Sequence, residues 1–230
     1  MAPFGWRLAA PEWAYIVNDT QSKIVFTGPG FESAEEALKP HLTNNPRFIG
    51  EQEARKLVET TERVDFTAAG PDDAVLQLYT SGTTGNPKGV LYSHRSNVLH
   101  GLMCALGDAM ALSSRDVAMP VVPMFHANAW GLAHAAVATG ATLVMPGADL
   151  SGPALADLIV NENVTVAAGV PTIWMAVLPE LKGRDTSSLR SIPCGGSAVP
   201  KSLSEAYREQ TGLPILQAWG MTETSPAAIF

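Results

Sequence analysis

The sequence predicts an α/β protein, a mostly parallel sheet with helices on both faces, and three observations carry that expectation. Short β-branched runs alternate with helical periodicities along most of the 230 residues. Hydrophobic residues make up 46% and charged residues only 16%, the balance of a chain whose sheet is covered on both sides. Cys104 and Cys194 stand far apart, without metal-type spacing and without a secretory signal beside them, as in a reduced, cytoplasmic protein with two buried thiols. A formal net charge of −7 argues against nucleic acid or an anionic membrane surface as the main partner. Gly, Pro or charge interrupts every apolar stretch before it could span a bilayer, so no integral membrane segment is expected.

The elements follow in order. Pro11 opens a helix through Val17, Asn18-Asp19 end it, and Lys23–Thr27 reads as a strand. No strand precedes that helix, so the chain reads as joining a repeating α/β pattern part-way. Glu32–Leu42 and Glu51–Thr60 are acidic and helix-prone, separated by Asn44-Asn45-Pro46, and suggest a solvated connection without chemistry of its own. Residues 1–73 hold twelve acids and seven bases, residues 74–230 ten and eight, so the second part is the more apolar. Ala68–Asp73 is a turn into the strand Ala74–Leu78, and Val90–Tyr92 is the next strand. Ser93 caps a helix whose apolar residues Val98, Leu99, Leu102, Met103, Leu106 and Met110 recur at helical spacing. Strands at Val117–Val122, Ala141–Met145, Val164–Ala168, Leu189–Cys194 and Pro214–Trp219 then alternate with helices at Trp130–Thr139, Leu155–Val160, Pro171–Leu181 and Pro200–Gln210. In such sheets ligands bind in the loops beyond the strands' carboxyl ends, where the motifs of this chain fall.

The most informative stretch is Tyr79-Thr80-Ser81-Gly82-Thr83-Thr84-Gly85-Asn86-Pro87-Lys88-Gly89. Thr80–Gly85 offers four hydroxyls and two glycines, so that backbone N–H groups and rotatable O–H donors can meet an anion, and Lys88 adds a point charge. A P-loop needs Gly before the lysine and Ser or Thr after it, whereas Pro87 and Gly89 occupy those positions. A plain Gly/Ser/Thr surface turn leaves the lysine after a rigid proline unexplained. Phosphates are the better reading.

This stretch, continued by Val90, resembles the signature loop of the adenylate-forming superfamily of acyl-CoA synthetases, aryl-CoA ligases, luciferases and peptide-synthetase adenylation domains. The resemblance implies a ligase that activates a carboxylic acid with ATP as an acyl-adenylate and passes it to a thiol, usually coenzyme A. Thr80, Ser81, Gly82, Thr83, Thr84, Gly85 and Lys88 would then hold the β- and γ-phosphates. Gln217-Ala218-Trp219-Gly220-Met221-Thr222-Glu223 resembles the adenine and magnesium motif. Trp219 offers a flat face for a purine, Thr222 a donor to phosphate, and Glu223, with Thr80, oxygens for Mg²⁺. Ser197 and Ala198 would lie against the adenine.

Pro123–Trp130 resembles the segment that lines the carboxylate and acyl pocket. His126, Ala127 and Trp130 are its expected substrate-binding residues, and His126 and Thr222 would flank the reacting centre. On composition alone His126 and Trp130 would pass for a core pair. Gly195 and Gly196 would border the acyl channel. His94, His100 and His134 carry weaker claims, as capping or packed residues.

The Phe-His-x-Asn-x-Trp pattern resembles the fatty-acid branch, implying a medium- or long-chain substrate. Residues 1–230 would then be a partial AMP-binding N-terminal domain, the family's first part and C-terminal small domain lying outside them. A non-catalytic nucleotide- or acyl-binding remnant, or an adenylation enzyme for aryl or amino acids, are the alternatives, and association into homo-oligomers is left open.

Overall fold

The computed structural model describes residues 1–60, 69–80 and 85–229. α1 (Ala10–Asp19) carries Pro11 in its first turn and leads to β1 (Ile24–Thr27). Next come α2 (Ala34–Leu38), a short 3-10 turn, β2 (Arg47–Gly50) and α3 (Glu51–Glu59). β2 was not expected: it carries one apolar pair, Phe48-Ile49, and becomes a strand by pairing parallel to β1, from Ile24 opposite Arg47 to Thr27 opposite Gly50. A partner distant in the chain supplies what local propensity lacks.

β3 (Ala74–Thr80) and β4 (Lys88–Ser93) form an antiparallel hairpin around the glycine-rich loop. Ser93 Oγ accepts the Ser96 N–H at 3.1 Å and so caps α4 (His94–Ala105), as expected. β5 (Val117–Pro120), the single turn α5 (Ala127–Trp130), α6 (Leu132–Thr139) and β6 (Thr142–Leu143) follow. The alternation continues with α7 (Gly152–Asn161), β7 (Val166–Ala168), α8 (Pro171–Val177), β8 (Pro193–Cys194), α9 (Lys201–Thr211) and β9 (Leu216–Gln217). β10 (Trp219–Gly220) and β11 (Ala227–Ile229) close the described chain.

β5 pairs parallel with β6 on one side and β7 on the other, and β8 pairs parallel with β9. Parallel bridges Val166–Ser191 and Gly169–Cys194 join the two groups in the order β6-β5-β7-β8-β9. Alternate side chains divide between two cores. Met119, Ala167 and Cys194 face Leu155, Ile159, Trp174, Val177 and Tyr207 of α7, α8 and α9. Ala118, Val166 and Ala168 face Cys104 of α4 and Leu132, Ala135 and Ala136 of α6. This is the expected parallel sheet with helices on both faces; β3 and β4 form a separate two-stranded antiparallel sheet.

α4 carries its apolar stripe outward. Val98, Leu99, Leu102 and Leu106 are exposed, while His100, Gly101 and Cys104 are buried. The contact with α6 accounts for this choice of face. A Cβ on Gly101 would lie 3.8 Å from Ala138 Cβ and 3.9 Å from Ala135 Cα, so the helices meet through small residues. Among the described residues, no helix is long and apolar enough to cross a membrane.

Candidate nucleotide and acyl site

The hairpin holds the ends of the phosphate-type loop in register. Thr80 pairs with Lys88 as the last rung, so the two described ends of the loop stand opposite each other. Ser81, Gly82, Thr83 and Thr84 lie outside the described residues. Gly85 has φ +106°, a conformation that L side chains rarely adopt. α1 braces the far shoulder: Tyr15 Oη donates to the Pro87 carbonyl at 3.1 Å. Gln77 Nε2 donates to Tyr79 Oη at 2.8 Å and to Asp19 Oδ2 at 3.2 Å, and Tyr79 Oη also donates to Asp19. Burial, and then the bond to Asp19, push the Tyr79 hydroxyl pKa well up, so it remains a donor.

Trp219, Gly220, Thr222 and Glu223 sit on a second hairpin, β10 with β11. Gly220 is required by close approach, since a Cβ there would lie 2.0 Å from the Pro226 carbonyl oxygen. Met221 N–H donates to that oxygen at 3.0 Å, and Thr222–Thr224 form one 3-10 turn. Trp219 presents its indole to solvent, 52% exposed. Ala218 N–H donates to the Cys194 carbonyl at 2.7 Å and Val199 N–H to Gln217 Oε1 at 3.4 Å, placing exposed Ser197 and Ala198 beside Gln217.

The two hairpins are tied together. Tyr92 Oη on β4 donates to the Thr222 carbonyl at 2.6 Å, across 130 positions of sequence. Burial, and then the charge of Glu223, push the Tyr92 hydroxyl up to about 12. Sequence reasoning missed Tyr92, which read as an ordinary strand residue.

The third cluster meets the first of these hairpins. His126 is exposed as a residue, its ring centroid 4.7 Å from that of Phe125, and partial desolvation of the imidazole lowers its pKa. Ala127, Asn128, Ala129 and Trp130 follow with φ of +47°, +53°, +53° and +56°, a left-handed turn where a right-handed helix was expected from Trp130 onward. The right-handed helix starts at Leu132, after Gly131 at φ +71°. Ala127 and Trp130 pack against Leu76, Leu78 and Tyr92 of the first hairpin. Cβ atoms on Gly195 and Gly196 would lie 3.6 Å from Trp130 Cη2 and 4.0 Å from Trp130 Cζ2, ordinary contact distances, so the indole lies alongside the glycine pair. Gly195 also passes the Ala218 carbonyl, 2.8 Å from where its Cβ would be.

Among the described residues, no group of three or more His, Cys, Asp or Glu could hold a metal ion. A Mg²⁺ ion that takes most of its oxygens from phosphates and water needs only one or two protein oxygens, which a single carboxylate such as Glu223 can supply.

A parallel sheet covered by helices on both faces, with two hairpins tied to each other beside it, defines an α/β domain of a recognisable class. The chain matches the AMP-binding enzyme family over residues 1–230 and belongs to it. It is 51% identical to a medium-chain-fatty-acid–CoA ligase of Ectopseudomonas oleovorans, covering 96% of this chain and 43% of that protein. It is 43% identical to a 3-methylmercaptopropionyl-CoA ligase of Ruegeria pomeroyi, covering 96% and 44%. The structure of O-succinylbenzoate coenzyme A synthetase from Bacillus subtilis, in complex with ATP and magnesium ion, superposes with a TM-score of 0.83 at 27% identity, covering 97% of this chain and 45% of that one. The chain thus spans less than half the length of these relatives.

Proposed function

We propose that the protein is an ATP-dependent acyl-CoA ligase acting on medium- or long-chain fatty acids, and that residues 1–230 carry its phosphate, adenine and acyl-pocket elements as part of a large N-terminal domain. The observation that carries the reading is the convergence of three separate motifs. Tyr92 bonds the phosphate hairpin to the turn of Thr222 and Glu223, and Trp130 spans from that hairpin to Gly195-Gly196.

In the first step a carboxylate oxygen of the acid bonds to the α-phosphorus of ATP, and the bond to the β-phosphate bridging oxygen breaks with release of pyrophosphate. In the second a thiol sulfur bonds to the acyl carbon, the acyl–phosphate oxygen bond breaks, and AMP leaves as the thiol proton goes to solvent. Positioning and charge neutralisation dominate such chemistry. Thr80, Ser81, Gly82, Thr83, Thr84, Gly85 and Lys88 grip the leaving pyrophosphate. Trp219 stacks on the adenine, with Gln217, Ala218, Gly220, Ser197 and Ala198 around it. His126, its pKa lowered, is neutral at pH 7 and can donate to the substrate carboxylate without trapping it as an ion pair. Thr222 donates to the α-phosphate from the opposite side. Mg²⁺, which Glu223 and Thr80 would hold, would supply charge neutralisation on the phosphates.

ATP–pyrophosphate exchange with a panel of fatty, aryl and amino acids tests the reading. Strongest exchange with medium- or long-chain fatty acids is expected. Strongest exchange with an amino acid would overturn the substrate class, and no exchange with any acid would overturn the activity.

A further inference from the structure

We infer that His100 is a positioning residue for the acyl pocket: it holds the left-handed turn Ala127–Gly131 in place, and with it the Trp130 indole against Gly195-Gly196. The inference deepens the fatty-acid reading above and rests on it for the nature of the substrate.

The turn needs external support. Four consecutive L-residues at φ between +47° and +56° bring each Cβ towards the carbonyl oxygen that follows, a conformation residues visit singly and seldom in series. Within the turn the Gly131 N–H is shared between the carbonyls of Ala127, at 3.1 Å, and Asn128, at 3.0 Å. Asn128, the residue type best suited to this backbone, gives no help through its side chain: it is 1% exposed and neither amide atom has a hydrogen-bond partner. Among the described residues, the only side chain hydrogen-bonded to the turn is His100, whose Nε2 lies 2.8 Å from the Trp130 carbonyl oxygen. A carbonyl only accepts, so Nε2 carries the proton and donates.

Shape points the same way. His100 is 6% exposed on the inner face of α4. Its Cδ2 and Nε2 occupy the space 2.2 Å and 2.3 Å from where a Cβ on Gly131 would stand. Gly131 is therefore a glycine twice over, for its φ of +71° and for the imidazole packed on it. The bond reaches the carbonyl of the very residue whose indole covers the glycine pair. Without that anchor the turn can relax towards right-handed backbone, and Trp130 swings away from Gly195 and Gly196. A pocket wall that has moved no longer measures the length of an acyl chain, whereas the phosphate hairpin is untouched.

The test uses the protein as its gene encodes it, with three variants. His100→Leu keeps volume and removes the donor, His100→Asn shortens the donor's reach, and His100→Gln restores an amide N–H near the position of Nε2. Two readouts are taken: the ratio of kcat/KM for a long against a short unbranched fatty acid, with KM for ATP alongside, and amide hydrogen exchange at Gly131. In His100→Leu and His100→Asn the selectivity ratio should fall about tenfold, the discrimination that roughly one methylene of pocket contact provides. KM for ATP should stay constant, Gly131 should lose protection while Ala135 and Ala136 in α6 keep theirs, and His100→Gln should recover both signals. Unchanged Gly131 protection and unchanged selectivity in a folded His100→Asn protein would overturn the inference. Should the wild type activate no acid, the functional reading fails by itself, and Gly131 exchange still decides whether His100 holds the turn.

Discussion

Replacing Tyr92 with Phe removes one atom that joins two motifs. The hydroxyl donates to the Thr222 carbonyl at 2.6 Å, a short neutral hydrogen bond. Such a bond contributes about 1 kcal/mol net, and a fully buried carbonyl left without a donor would raise the loss towards about 3 kcal/mol. Thr222 is half-buried, so water can replace the hydroxyl and the lower figure applies. The ring itself packs in the cluster with Leu76, Leu78 and Ala127, and Phe keeps that contact. Tyr92→Phe should therefore destabilise the protein by about 1 kcal/mol and lower Tm by roughly 2–4 °C for a chain of this size. If the bond also presets the distance between the phosphate hairpin and Glu223, the same energy is missing from the assembled site. Calorimetric titration with ATP·Mg²⁺ should then give a Kd about fivefold weaker. A lower Tm with unchanged affinity would refute the coupling, and unchanged stability would refute the energetic value assigned to the bond.

Other expected outcomes follow from the same geometry. Gly220→Ala places a Cβ 2.0 Å from the Pro226 carbonyl oxygen and forces the second hairpin apart. It should cost about 1–3 kcal/mol in urea unfolding and weaken ATP·Mg²⁺ binding more than Tyr92→Phe does. Asp116 is buried, which by itself pushes its carboxyl pKa up, but bonds from Arg190, Thr165 and Ser113 hold it well below the usual carboxylate range. Its contribution to stability is present above the unfolded-state value near pH 4 and is lost as pH falls through the folded value. Because the Arg190 side chain is 37% exposed, Asp116→Asn should cost about 2–3 kcal/mol at neutral pH and flatten the acid limb of the stability curve, read by urea titrations at several pH values. His100, His126 and His134 are all shifted down by burial, so the unfolded chain takes up protons first as pH drops below about 6.5. Stability should fall between about pH 7.5 and pH 5.5, and His100→Gln should reduce that fall. An unchanged slope would show that His100 titrates alike in both states.

Much of this protein was legible in its sequence, and the legible parts are those where chemistry is local. The alternation of β-branched runs with helical spacings was enough for a parallel sheet covered on both faces, because burial on two sides leaves that pattern in any chain that adopts it. Pro11 and Ser93 marked helix starts through properties of a single residue, a fixed φ and a side-chain acceptor. The phosphate-type loop and the Trp219–Glu223 stretch were visible because several unusual residues stand consecutively.

What only the tertiary structure decided are the relations between distant residues. β2 exists because β1 lies beside it, and no periodicity within Arg47–Gly50 announces that. The face that α4 turns inward was set by close packing on the small residues of α6, against the apolar stripe of its own sequence. Ala127–Trp130 has an ordinary composition, yet the backbone turns left-handed, since buried Ala127 and Ala129 and the bond from His100 over-determine a local conformation that propensity disfavours. Tyr92 and His100 acquire their roles through partners 130 and 30 positions away. A sequence displays the groups that can bind a nucleotide or an acid; the distances between those groups arise only when the sheet brings its strand ends together.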